Sequence, residues 1–134
     1  MAGYSKTPLQ QKLGIKEGHL IAILEAPRGY KTTLGRLPDR VKWSTKITPN
    51  LDFVQVFVRS SEDLIGKLPL LKKHIKFSGM IWVSWPKKAS GVPTDVTEDV
   101  VRSTALKSGL VDVKVCAVDH VWSGLKLVIP VKDR

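Results

Sequence analysis

Residues Met80–Arg102, MIWVSWPKKASGVPTDVTEDVVR, contain the pattern that predicts the fold of this chain. The first six residues form a continuous run rich in β-branched and aromatic side chains, which is typical of a buried strand. The last part indicates a helix start, because Thr94 or Asp95 can cap free backbone N–H groups and Glu98 is placed for a capping box. In open α/β sheets, a loop at the carboxyl end of a strand is where ligands are usually held.

Further strands and helices are predicted on both sides of this stretch. Apolar runs predict strands, and the spacing of Leu64, Ile65, Leu68, Leu71 and Ile75 predicts a helix with one apolar face. Pro69 lies within that helix and predicts a kink or a restart at Leu68. The other predicted strands are His19–Leu24, Val41–Ile47, Phe53–Val58, Val111–Val118 and Trp122–Ile129, and the other predicted helices are Thr7–Gly14, a turn near Thr33–Leu37, and Asp95–Lys107.

This order of elements predicts a small three-layer, Rossmann-like α/β domain. Strands that alternate with helices imply right-handed crossovers and a mostly parallel sheet, and the last two strands add a C-terminal antiparallel hairpin. We expect residues 1–134 to form a single domain, in which residues 1–18 are an N-terminal helix and turn.

The composition is that of an ordinary globular protein, with 43% hydrophobic and 25% charged residues. No apolar run approaches the roughly 20 residues that cross a bilayer, so no membrane partner is expected. The N-terminus lacks the apolar segment of a secretion signal, and the single cysteine, Cys116, indicates a reducing compartment. A cytoplasmic location is therefore expected.

The net charge of +10 favours anionic partners, although a merely soluble surface explains it as well. The excess lies in the first third of the chain, where residues 1–50 hold nine Lys or Arg against three acids. Two classes of partner are consistent with this balance: an anionic small molecule or nucleotide, and nucleic acid. Trp43 and Tyr30 could stack on bases, but no nucleic-acid-binding motif is present.

The predicted sheet suggests a place for an anionic ligand. If the strands ending near Leu24, Val58 and Trp85 are parallel, their carboxyl ends share one edge, where helix N-termini also favour anions. The alternative is that these side chains are solvated strand ends. The predicted ligand-binding residues are Arg28, Gly29 and Tyr30 after the first strand, Arg59, Ser60 and Ser61 after the second, and Lys87, Lys88, Ser90 and Gly91 after the third.

Other chemistry has little support in the sequence. His19, His74 and His120 have no spacing that suggests a metal site, so no metal is expected. Cys116 has no cationic neighbour in sequence and is interpreted as a buried thiol. No catalytic residue is assigned, and whether the protein is an enzyme stays open.

The chain resembles a known family at four stretches: Trp82–Gly91, Thr94–Arg102, Gly109–Asp119 and Trp122–Lys126. These are similar to an uncharacterised bacterial family, a domain of unknown function. In addition, the layout from about Asp52 to Ile129 resembles the second half of Rossmann-like S-adenosylmethionine-dependent methyltransferases. The resemblance implies a Rossmann-like fold, and the bacterial family implies no established activity.

The methyltransferase resemblance implies two features that this sequence lacks. Those enzymes have a Gly-rich turn after the first strand, whereas Glu25–Gly29 contains one glycine and a proline. They also have an acidic residue at the end of the second strand, and none lies near Lys46 or Ile47. No cofactor is therefore expected. The first interpretation is a non-catalytic or weakly catalytic module that binds an anionic small molecule or nucleotide; the alternatives are a nucleic-acid-binding or protein-interaction scaffold and a divergent methyltransferase.

Overall fold

The computed structural model describes residues 7–134. A single six-stranded sheet, in the order β2-β1-β3-β4-β6-β5, runs through the molecule. The strands are β1 (Leu20–Leu24), β2 (Lys42–Ser44), β3 (Leu51–Phe57), β4 (Ile75–Pro86), β5 (Val111–Ala117) and β6 (Trp122–Val128). The helices are α1 (Leu9–Leu13), α2 (Tyr30–Leu34), α3 (Ser61–His74) and α4 (Glu98–Lys107).

The sheet is mostly parallel, as predicted. Strands β2, β1, β3 and β4 are parallel neighbours, and β6 lies antiparallel between β4 and β5. The C-terminal hairpin therefore returns into the sheet, so that β5 and not β6 is the edge strand. Because β6 runs against β4, its first residue, Trp122, pairs with Pro86 at the carboxyl end of β4.

Two apolar cores lie on the two faces of the sheet. Helices α1 and α2 cover one face, where Leu13 and Leu34 pack with Trp82. Helices α3 and α4 cover the other, where Leu68 and Val101 pack with strand residues. The indole N–H of Trp82 donates to the backbone oxygen of Leu13 at 2.8 Å, which fixes α1 on the sheet. The result is the three-layer arrangement that the sequence predicts.

Strand β4 begins earlier than predicted. It starts at Ile75, and its pairing with β3 shifts between Leu51 and Phe53, where β4 carries extra residues. Gly79 lies in this bulge, and a Cβ atom added there would be 2.8 Å from the backbone oxygen of Leu51. Only glycine allows the two backbones to approach so closely, which explains why a turn residue lies inside a strand.

Helix α3 is one continuous element that includes Pro69, so the predicted restart at Leu68 is wrong. Its first turn is capped by the Ser60 hydroxyl, which accepts a hydrogen bond from the Asp63 N–H at 3.1 Å. Leu64, Leu68 and Leu71 are buried, but Ile65 is 59% exposed and does not share their face. None of the helices formed by residues 7–134 is long and apolar enough to cross a membrane.

The predicted cap of α4 is also wrong. The helix begins at Glu98, and Thr97 caps it by accepting a hydrogen bond from the Val100 N–H at 3.2 Å. Thr94 and Asp95 precede the helix and contact the start of α3 instead, as described below.

Candidate functional site

A cavity of about 600 Å³ lies at the carboxyl ends of β1 and β3. These strands are parallel neighbours, with Leu24 paired to Val56, so the turns that follow them meet at one edge of the sheet. The start of β6 closes the third side. The residues that line the cavity are Glu25, Ala26, Pro27, Phe57, Arg59, Ser60, Asp63, Lys67 and Trp122.

Aromatic side chains form one side of this cavity and continue into the core. The rings of Phe57 and Trp122 meet edge to face with centroids 5.0 Å apart, and those of Tyr30 and Phe57 do so at 4.9 Å. All three side chains are buried. Such pairs hold each ring in a fixed orientation, so the cavity has a rigid apolar surface.

The charged groups at the cavity divide into one ion pair and two single charges. The Lys67 ammonium lies 3.0 Å from the Asp63 carboxylate, one turn away on α3, so these two charges offset each other. The Arg59 guanidinium lies over the ring of Trp122, 5.8 Å from its centroid. Among the ion pairs formed by residues 7–134, none includes Arg59 or Glu25. Arg59 is therefore the cation at this cavity that can bind an anion.

A chain of buried polar groups lies beside the aromatic side. The Tyr30 hydroxyl donates to Gln55 Oε1 at 2.5 Å, and Gln55 Nε2 donates to Ser84 Oγ at 3.0 Å. Burial raises the pKa of Tyr30 well above its ordinary value, against the opposing effect of the Gln55 hydrogen bond. Tyr30 is thus a neutral structural donor, and its ring is not available to stack on a base.

A second cavity of about 590 Å³ lies beside the loop between β4 and α4. Its walls include the apolar side chains of Trp85, Val92 and Val96, and both Lys87 and Lys88 line it. The Lys87 ammonium donates to the backbone oxygen of Asp119 at 2.7 Å. Lys87 therefore connects the loop to the β5–β6 turn, whereas Lys88 is exposed.

Thr94 and Asp95 hold the β4–α4 loop against the start of α3. The Thr94 hydroxyl donates to the backbone oxygen of Arg59 at 2.6 Å. The Asp95 carboxylate accepts from the Ser61 N–H at 2.7 Å and from the Ser61 hydroxyl at 2.8 Å. These two hydrogen bonds lower the pKa of Asp95. The N-terminus of α3 therefore already has a carboxylate on one of its N–H groups.

The predicted ligand-binding residues do not all meet. Arg59 and Ser60 line the first cavity, and Lys87, Lys88 and Gly91 line the second. Ser61 binds Asp95, and the Ser90 hydroxyl donates to the Lys87 backbone oxygen at 2.6 Å. Arg28 and Gly29 are exposed in the turn before α2, and Tyr30 is buried.

The sequence did not identify Glu25, Phe57, Asp63 and Lys67 as residues of this edge. Asp63 and Lys67 are spaced four apart on a predicted helix, which is a usable signal for an ion pair. Trp122, whose ring packs against Phe57, also lines this cavity. No cluster of three or more His, Cys, Asp or Glu side chains that could hold a metal ion occurs within residues 7–134.

The family model of a protein of unknown function, DUF3052, matches residues 44–131. The chain belongs to DUF3052. The match covers β3, β4, α3, α4 and the C-terminal hairpin, and it begins after the turn that follows β1. None of the curated proteins matches the DUF3052 chain in sequence.

Solved structures show the same fold. A SAM-dependent methyltransferase from Aquifex aeolicus superposes with a TM-score of 0.64 at 16% identity, covering 90% of this chain and 87% of that one. Magnesium protoporphyrin IX methyltransferase from Synechocystis, solved with bound SAH, superposes with a TM-score of 0.58 at 10% identity. The match covers 90% of this chain and 83% of the methyltransferase. Aeropyrum pernix fibrillarin, solved with natively bound S-adenosyl-L-methionine, superposes with a TM-score of 0.57 at 14% identity. The match covers 85% of this chain and 68% of the fibrillarin chain. The DUF3052 chain therefore has a Rossmann-like, methyltransferase-like fold.

The residues after β1 do not fit S-adenosylmethionine in the way that a Gly-rich turn does. Ala26 and Pro27 line the cavity, and each has a side chain where a glycine turn leaves the backbone open to the ligand. Pro27 also has no backbone N–H to donate. After β2, residues 45–50 contain no carboxylate.

Proposed function

We propose that this protein binds an anionic small molecule of nucleotide size in the cavity between the ends of β1 and β3. The observation that carries the proposal is Arg59, whose guanidinium lies over Trp122 at the cavity without a carboxylate partner among residues 7–134. An arginine in this position can bind a phosphate or carboxylate through two parallel hydrogen bonds.

The other lining groups favour a nucleotide over a simple anion. The volume of about 600 Å³ lies within the roughly 300–1,000 Å³ that is typical of small-molecule sites. Glu25 accepts hydrogen bonds from hydroxyl groups and repels phosphate, so a ligand that carries both ribose hydroxyls and phosphate matches Glu25 and Arg59 together. Trp122 supplies apolar contact.

In the proposal, the second cavity supplies a further contact for the ligand. Lys88 is the exposed cation of the β4–α4 loop, and Gly91 lines the same cavity. In the proposal, Lys88 binds a further anionic group, while Lys87, Ser90 and Ser61 hold the loop and the start of α3 in place through the hydrogen bonds described above. The proposal assigns binding and no reaction.

The test is a thermal-shift and calorimetric series with AMP, ADP, ATP, NAD, inorganic phosphate, S-adenosylmethionine and S-adenosylhomocysteine. A nucleotide at about 100 times its Kd is expected to stabilise the fold by roughly 2.7 kcal/mol. Arg59→Gln should weaken that binding by about tenfold or more, because charge-assisted bonds contribute about 1.5–3 kcal/mol. Arg28→Gln is the matched control, since Arg28 is exposed and does not line either cavity.

Three results would count against the proposal. If no compound raises the melting temperature, the cavity does not bind this class of ligand. Stabilisation by S-adenosylmethionine or S-adenosylhomocysteine, with no response to nucleotides, would instead support a divergent methyltransferase. Equal weakening by Arg59→Gln and Arg28→Gln would place the anion outside the cavity.

A further inference from the structure

The sheet separates faces of different charge. On the face covered by α1 and α2, Lys12 and Lys16 belong to α1 and its following turn, and Lys31 and Arg36 belong to α2 and its following loop. On the other face, the acids and cations of α3 and α4 are intermixed, and Lys67 and Arg102 form ion pairs with acids of their own helices. Helices α1 and α2 thus carry lysine and no acid, whereas α3 and α4 carry both.

Two further lysines of the same face come from the hairpin. Lys126 of β6 pairs in register with Trp82 on one side and with Lys114 on the other. Residues paired in register point to the same face of a sheet, and Trp82 belongs to the core beneath α1 and α2. Lys114 and Lys126 therefore lie directly opposite each other on the α1/α2 face.

This arrangement is electrostatically unfavourable, and an anion between the two ammonium groups would relieve it. Like charges directly opposite on antiparallel strands are destabilising. Lys126 is half-buried, and burial, followed by the charges of Lys114 and Lys16, lowers its pKa. The Lys114 ammonium also donates to the backbone oxygen of Lys12 at 3.2 Å, which brings the β5 lysine to α1.

No ion pair with a carboxylate offsets this cluster in the part of the chain that the structure describes. None of the ion pairs within residues 7–134 includes Lys16, Lys114 or Lys126. Glu17, the acid next to Lys16 in sequence, pairs with Arg40. Residues 1–6, MAGYSK, contain no acid.

The cations extend across the whole face. Lys31 lies 5.4 Å from the ring centroid of Trp43, on the edge strand β2, whereas Lys114 is on the opposite edge strand, β5. Five strand spacings separate these edges, which is roughly 24 Å. A single small anion cannot contact both ends, but a polymer with regularly spaced phosphates can.

We propose that the α1/α2 face binds the phosphate backbone of a nucleic acid, with Lys16, Lys114 and Lys126 as a central phosphate-binding cluster. Lys31 and Arg36 extend the contact toward β2. The contacts are to phosphates, so binding is independent of base sequence. This inference does not depend on the cavity at the ends of β1 and β3.

The experiment measures fluorescence anisotropy of a labelled, mixed-sequence 20-nucleotide single-stranded RNA with the full chain at 50 and 200 mM NaCl. The test variant carries Lys16→Gln, Lys114→Gln and Lys126→Gln. The control carries Lys72→Gln, Lys73→Gln and Lys107→Gln, which remove the same charge from the α3/α4 side. We expect about tenfold or greater weakening in the test variant and under about threefold in the control. The logarithm of the association constant decreases linearly with the logarithm of the salt concentration. The magnitude of this slope should be smaller by roughly 2 in the test variant, because each lost phosphate contact removes about 0.7.

Several outcomes overturn the proposal: no binding at 50 mM NaCl, equal losses in both triple variants, or equally tight binding of polyphosphate of matched charge. If the test variant melts at a lower temperature than the control, the single variant Lys114→Gln takes its place, because Lys114 is exposed. This single substitution should still weaken RNA binding about threefold. Arg59→Gln should leave RNA binding unchanged, which separates this inference from the nucleotide proposal.

Discussion

Gln55 and Ser84 are polar residues that are fully buried within runs of apolar strand residues. Sequence alone identifies the runs but not the reason for these two positions. Their hydrogen bond depends on the parallel register of β3 and β4, in which Gln55 pairs with Trp82 and Phe57 with Ser84. Tyr30, from a different part of the chain, completes the set. A residue whose partner is set by tertiary register cannot be interpreted from its neighbours in sequence.

Tyr30→Phe should destabilise the protein at neutral pH, because Gln55 Oε1 then lacks its donor in a buried position. Such a loss costs about 1–3 kcal/mol. The difference in the free energy of unfolding between the variant and the wild type should become smaller above about pH 10. The folded pKa of Tyr30 is raised, so in the wild type the unfolded chain ionises first and stability falls as pH rises through the unfolded pKa, by about 1.4 kcal/mol per pH unit. The variant has no such loss at this position.

Urea unfolding of both proteins at pH 7 and pH 11 measures this difference. If the free energies of unfolding of the two proteins differ by the same amount at both pH values, Tyr30 ionises equally in the folded and unfolded states.

At the scale of elements, the sequence predicts strands well and helix starts less well. Strands buried on both faces appear as continuous apolar runs, which is why β1, β3 and the end of β4 were found. The start of α4 was misplaced because Thr94, Asp95 and Thr97 are all good capping residues. Only the contacts of Thr94 and Asp95 with the β3–α3 junction distinguish them from the true cap. Element boundaries therefore depended on tertiary partners.

Asp95→Asn should loosen the start of α3, since the charged acceptor of the Ser61 N–H and hydroxyl becomes a neutral amide. We expect a lower melting temperature at pH 7 and faster hydrogen exchange at the Ser61 N–H. The folded pKa of Asp95 is lowered, so its contribution is present above the unfolded pKa and is lost as pH falls through the folded pKa. The difference in melting temperature between Asp95→Asn and the wild type should therefore become smaller as the pH falls into the acidic range.

Asp99→Asn is the control, because Asp99 is nearly fully exposed on the first turn of α4. It should leave exchange at Ser61 unchanged. Equal effects of both variants would mean that general charge, and not the Asp95–Ser61 contact, stabilises α3.

At the scale of the whole molecule, the sequence predicted that the loops after β1, β3 and β4 share one edge of the sheet, but not that they line two cavities. Arg59 and Ser60 were correctly placed at the end of β3. The separation of Lys87 and Lys88 into a second cavity follows from Thr94, which attaches the β4–α4 loop to Arg59. The position of β6 between β4 and β5 was also not predicted, since a hairpin alone does not specify which strand lies inside. That insertion brings Trp122 to the first cavity and Lys126 beside Trp82.

Lys114 and Lys126 lie opposite each other, so the charges of the proposed nucleic-acid surface should lower the stability of the free protein. Lys126→Met keeps the apolar stem and removes the charge, so it should raise stability by about 0.5 kcal/mol at low salt. Added NaCl screens the repulsion in the wild type, so the advantage should decline as ionic strength rises toward 1 M. Lys42→Met, at an exposed position of the edge strand β2, is the matched control and should change little. Thermal unfolding at 10 mM and 1 M NaCl gives the comparison. A Lys126→Met protein that is no more stable than wild type at 10 mM would show that the two ammonium groups do not repel each other, and the need for an anion between them would disappear.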